Sequence, residues 1–155
     1  MKTILKFLSV ASLLVMATTA MAADPVIGTW QLNAAKSKFS PGPAPKSDVR
    51  TYTSGADGTT MTWKSTSASG KEMTVTSTFR TDGKDYPVTG TPNFDTLSLK
   101  QVDPNTVHSV QKKGGKVIGE STRSVSKDGK ELTLKSKGMG ADGKPYDNVM
   151  VYDRT

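Results

Sequence analysis

The dipeptide Asp-Gly occurs four times, at 57–58, 82–83, 128–129 and 142–143, each beside a short stretch in which apolar and polar residues alternate. Asp-Gly is favoured in hairpin turns whose central residues need positive φ. Alternation with a period of two gives a strand one buried face and one wet face. The segment from Glu72 to Arg80 is the clearest example. Met73, Val75, Ser77 and Phe79 share one face, and Thr74, Thr76 and Thr78 share the other. No comparable helical periodicity follows residue 23, and the spacing of strands and turns predicts an all-β antiparallel meander.

The expected strands run in order along the chain. They are Val26 to Leu32, Val49 to Thr53, Thr59 to Ser67 and Glu72 to Arg80. A short edge segment from Tyr86 to Gly90 follows, since Pro87 has no N–H to give a ladder. Next come Thr96 to Gln101, Thr106 to Gln111, Lys116 to Ser126, a stretch around Leu132 and Leu134, and Asn148 to Arg154. A long connection from Asn33 to Ser47 contains Pro41-Gly42-Pro43-Ala44-Pro45, which is held extended and barred from helix. Nine or ten strands in sequence order must close on themselves or split into two sheets. Closure removes exposed edges, so an up-and-down barrel of about eight to ten strands is the expected architecture and a β-sandwich the alternative.

The chain opens with Lys2 and Lys6 and continues with an apolar run from Phe7 to Ala17, broken only by Ser9 and Ser12. Ala20-Met21-Ala22 then fits a small-x-small cleavage site. These features predict a signal peptide over residues 1–22 and one domain over 23–155, located in the periplasm or secreted. The apolar run is shorter than the roughly 20 residues of a spanning helix. No stable membrane insertion is therefore expected after cleavage. The sequence has no Cys, which excludes disulfides, lipoprotein attachment, thiol catalysis and Cys-bound metals.

The formal charge is +7, two units of it on Lys2 and Lys6. The remaining lysines fall at expected turns, as in Lys112-Lys113, Lys127, Lys130 and Lys144. No basic run with interleaved aromatics occurs, so no nucleic-acid partner is expected. An anionic envelope surface is a partner that such an exterior permits. His108 is the sole histidine, which excludes a multi-histidine metal site or a Ser-His-Asp triad, and it is expected at the surface or rim. No nucleophile elbow, phosphate loop or dinucleotide fingerprint is present. Asp82 and Asp85 sit in a turn, without the buried surroundings that raise a carboxyl pKa for acid catalysis. The Asp-Gly loops carry one or two carboxylates each, too few for a calcium site. No catalytic residue, cofactor or metal is expected. A small hydrolase or isomerase would need a cavity with convergent polar groups.

Function is then sought in the barrel interior. With the more apolar face of each strand inward, Met61, Trp63, Met73, Val75, Phe79, Leu97, Leu99, Leu132, Leu134, Val149 and Val151 would share it. Arg123 would join them, alongside Val117 and Val125. One basic group among apolar side chains suits an amphipathic anion. Trp63, Met73, Val75, Phe79 and Arg123 are the candidate ligand contacts.

Gly28-Thr29-Trp30-Gln31-Leu32 at the first strand, with Arg154 in the last, resembles the calycin superfamily of lipocalins and fatty-acid-binding proteins. That resemblance implies a barrel whose base is closed by Gly28, Trp30 and a basic side chain, Arg154 or Arg123, lying over the indole. It also implies a small apolar or amphipathic ligand. The fatty-acid-binding pattern places two helices between the first two strands, whereas the corresponding span here is short and proline-rich. No helical lid is expected. The segments from Lys36 to Pro43 and from Asp82 to Gly90 further resemble a family of small exported bacterial proteins with no assigned function. The leading expectation is an exported lipocalin-like ligand-binding protein. The alternative is a non-catalytic envelope-interaction protein with a filled core, acting through its basic surface.

Overall fold

The computed structural model describes residues 24–155, so the expected signal segment lies outside the described residues. Ten strands form one antiparallel sheet: β1 (Gly28–Leu32), β2 (Ser47–Gly55), β3 (Gly58–Thr66), β4 (Glu72–Phe79), β5 (Asp82–Pro87), β6 (Thr96–Asp103), β7 (Thr106–Lys113), β8 (Lys116–Val125), β9 (Glu131–Met139) and β10 (Pro145–Arg154). Each strand pairs with its sequence neighbour except β4 and β5, which form no ladder; Thr76 on β4 instead bridges Thr89, two residues beyond β5, and β1 pairs with β10 as well as with β2. The result is a nearly closed up-and-down barrel rather than a two-sheet sandwich.

The gap beside β5 has a local cause. Pro87 cannot donate to a ladder, and its carbonyl instead accepts from Ser77 Oγ at 2.9 Å. The register of β5 also shifts between Asp82 and Asp85. Asp82-Gly83, expected as a turn, therefore opens β5, with Arg80 and Thr81 forming the break before it. Between Asn33 and Ser47 the only helical element is a single 3-10 turn, Ala34–Lys36. Beyond it Lys38 bridges Val149, so this connection extends the partner of β10 where β1 leaves off.

One end of the barrel is closed by Trp30, which is fully buried. Its Nε1 donates to the Val26 carbonyl at 2.8 Å. The Arg154 guanidinium lies 4.1 Å from the indole centroid and donates to the carbonyls of Ile27 and Pro25 at 2.8 and 2.6 Å. Arg154 also stands opposite Trp30 in the β1–β10 register, so closure of the sheet and closure of its base occur at one rung. Arg123 lies elsewhere, 5.0 Å from the Tyr52 ring.

Two expected inward faces are corrected. On β10 the inward residues are Met150 and Tyr152, not Val149 and Val151. Met150 and Tyr152 stand opposite the buried Leu134 and Leu132, and directly opposed residues share a face. Val151 is buried on the outer side, where Ser37 Oγ accepts from its N–H at 2.9 Å. On β8, Val117 is 64% exposed. A register shift skips Ile118, so Gly119 pairs with Gln111 and Val117 with the outward Lys112. An extra residue of this kind exchanges the faces on either side of it.

Gly28 has φ of +137° and its missing side chain leaves space that Arg154 occupies. Gly28→Ala is expected to destabilise the barrel by about 1–3 kcal/mol, from backbone strain and displacement of the guanidinium. Urea unfolding reads this directly, and an unchanged midpoint would contradict the closure described for this rung.

Candidate functional site

The barrel encloses a cavity of about 320 Å³ that reaches the end opposite Trp30. That is at the lower end of the roughly 300–1,000 Å³ usual for small-molecule pockets. Its apolar wall comes from Met61, Phe79, Leu97, Leu99 and Val107. Phe39 and Pro45 from the proline-rich connection, with Phe94 from the β5–β6 loop, stand at the mouth.

One side carries a buried polar network built on β2. Asp48, Arg50 and Tyr52 alternate along that strand, so all three side chains face inward, and all are buried. Trp63 Nε1 donates to Asp48 Oδ2 at 2.7 Å, and the Tyr152 hydroxyl donates to Asp48 Oδ1 at 3.1 Å. Arg50 Nε donates to the Tyr152 oxygen at 2.9 Å and lies 3.7 Å from Asp48 Oδ1. Its guanidinium also covers the Trp63 ring at 4.3 Å. Burial works against the charge of Arg50, but Tyr152 and Asp48 more than offset it and its pKa is raised. Burial likewise pushes the Tyr152 phenol up, so the hydroxyl keeps its proton as a donor.

The charge balance of the cavity follows. Its charged lining residues are Asp48, Arg50 and Arg123. Asp48 and Arg50 neutralise each other, and Arg123 remains. Arg123 is only 6% exposed and stacks on Tyr52 at 5.0 Å. Among the described residues no salt bridge includes Arg123, and its guanidinium packs on an aromatic ring while bordering the cavity. An isolated buried charge is costly unless something in the cavity compensates it.

A second polar group lies on β7 and β8. Ser109 and Ser121 Oγ are 2.6 Å apart, and Gln111 Nε2 donates to Ser121 Oγ at 3.4 Å.

Of the expected ligand contacts, Trp63, Phe79 and Arg123 line this cavity together. Val75 is fully buried in the wall without reaching the lining, and Met73 faces a separate depression beside Gly90 and Pro92. Gly28, Trp30 and Arg154 come together at the closed end. His108 lies on the outer face of β7, with Nε2 3.4 Å from Glu120. Sequence reasoning missed Asp48, Arg50, Tyr52, Gln111, Tyr146 and Tyr152. The signal for the first three was Asp-x-Arg-x-Tyr, in which two opposite charges and an aromatic share one strand face.

No family model matches the chain, and no curated protein sequence matches it. Nine solved chains do match in structure. One is the zebrafish ileal bile acid-binding protein complexed with cholic acid, at 12% identity and a TM-score of 0.49. The match covers 84% of this chain and 99% of that chain.

Tyr152→Phe removes the hydroxyl that joins Arg50 to Asp48. It is expected to cost about 1–3 kcal/mol, the penalty of leaving buried polar atoms unpaired. A fall in the urea midpoint with unchanged far-UV circular dichroism is the expected result.

Proposed function

We propose that this protein is an exported, non-enzymatic carrier of a small amphipathic anion held inside the barrel. The observation that carries the reading is Arg123, a buried guanidinium facing the cavity with no counter-ion among the described residues. A carboxylate or similar acid at that point would form a charge-assisted hydrogen bond with it. The hydrocarbon part would lie against Met61, Phe79, Leu97 and Leu99. Export to the periplasm or medium is supported by the Lys2–Ala22 pattern of the sequence.

The groups present favour binding over catalysis. Asp48 accepts from Trp63 and Tyr152 on its two oxygens and faces Arg50, so it is already engaged. Ser109 and Ser121 bond to each other, and His108 lies outside the barrel. No nucleophile faces a free base across the cavity among the described residues. A cavity of this volume also favours an internal ligand over a filled core acting only through its basic surface.

The test is binding of dodecanoate, followed by displacement of the fluorescent anion anilinonaphthalene sulfonate. Arg123→Met is expected to weaken dodecanoate by about tenfold or more, as expected for losing a hydrogen bond to a charged group. Lys127→Met removes a surface charge at a distant turn and is expected to leave affinity unchanged. Equal loss in both variants would mean that binding follows net charge, and no loss at Arg123 would overturn the assignment.

A further inference from the structure

Gln111 Oε1 is buried and has no hydrogen-bond partner among the described residues. The surrounding bonds fix its character. Ser109 Oγ and Ser121 Oγ are hydrogen-bonded at 2.6 Å, with either hydroxyl able to donate. Ser121 Oγ also accepts from Gln111 Nε2 at 3.4 Å. Gln111 Oε1, an amide oxygen, can only accept. Leaving such an acceptor unsatisfied carries the full desolvation cost of the group.

The Tyr146 hydroxyl stands beside it. Both oxygens lie over Gly119, where an added methyl would come within 2.5 Å of the Tyr146 oxygen and 2.7 Å of Gln111 Oε1. Gly119 pairs with Gly138, and Tyr146 stands opposite Gly138 on the next strand. Neither glycine adopts positive φ, so here the small residue supplies space rather than backbone freedom. Burial holds the Tyr146 pKa above its ordinary value, which keeps its proton in place as a donor. An acceptor and a donor thus stand side by side on the cavity wall, in space that Gly119 leaves free for them.

We infer that the ligand carries a hydroxyl group far from its acidic end, donating to Gln111 Oε1 and accepting from the Tyr146 hydroxyl. The inference rests on the proposed binding of an amphipathic anion at Arg123 and specifies that ligand further. The position follows from register. The rung that pairs Gln111 with Gly119 lies four residues along both strands from the rung that pairs Val107 with Arg123. At ~3.4 Å per residue the two rungs are about 14 Å apart. Arg123 lies toward the closed end and Gln111 toward the mouth, so a hydroxyl adjacent to the acid would not reach.

Three probes decide it: dodecanoate, α-hydroxydodecanoate and ω-hydroxydodecanoate, each measured by displacement of anilinonaphthalene sulfonate. The wild-type protein is expected to bind the ω-hydroxy acid about tenfold more tightly than dodecanoate, as one good buried hydrogen bond allows. The α-hydroxy acid is expected to show no gain. Gln111→Leu and Tyr146→Phe are each expected to abolish the ω-hydroxy preference, read as the ratio of ω-hydroxydodecanoate to dodecanoate affinity within each variant, with a urea midpoint close to wild type. Equal affinity for the ω-hydroxy acid and dodecanoate, or a preference that survives in Gln111→Leu, would overturn this inference while the binding of an anion stands. Failure of all three probes to bind would instead overturn the anion-binding reading itself.

Discussion

The pairing of β1 with β10 is the contact on which the rest of this barrel depends. Eight of the strand pairings join strands that follow one another in sequence, and each could form as a local hairpin. The pairing of Trp30 with Arg154 instead joins residues near opposite ends of the domain. Closing so long a loop is entropically unfavourable. The buried indole, its hydrogen bond to Val26 and the guanidinium stacked above it help to offset that cost. Once this rung is made, Tyr152 is brought against Asp48 and Arg50, and the cavity acquires its polar floor.

The interior illustrates how a barrel can stay hollow. A wall of Leu and Val alone would be driven to fill the space, whereas groups tied to one another by hydrogen bonds hold their positions on it. Asp48, Arg50, Trp63 and Tyr152 satisfy one another on β2, β3 and β10. Ser109, Ser121 and Gln111 do the same on β7 and β8, with one acceptor left over. Gln111 Oε1, which has no partner, and Arg123, which has no salt bridge among the described residues, both line the cavity. Their positions at different depths are the basis for proposing a ligand with an acid at one end and a donor nearer the other.

Much of the fold was legible because period-two alternation and Asp-Gly turns are local signals. The strand from Glu72 to Phe79 and the turn at Gly129, with its φ of +69°, are read directly from neighbouring residues. Trp30 and Arg154 were legible through the resemblance of Gly28-Thr29-Trp30 to a calycin opening. The failures came where a long-range register decides the face. Val149 and Val151 look like the buried pair of the last strand until pairing with Leu132 and Leu134 turns Met150 and Tyr152 inward. Val117 looks inward until the shift at Ile118 is known. Asp48 and Arg50 were missed for a different reason. A charged side chain is costly to bury alone, and the partners that make these two tolerable are Tyr152 and Trp63, remote in sequence from at least one of them.

Native mass spectrometry of the protein, purified gently from the producing cells without delipidation, asks whether an amphipathic anion occupies the barrel as proposed. The predicted result is a reproducible mass excess over the polypeptide that disappears on denaturation, with the released species ionising as an acid. A bare polypeptide mass, obtained from protein that also fails to take up a long-chain carboxylate added in excess, would contradict it.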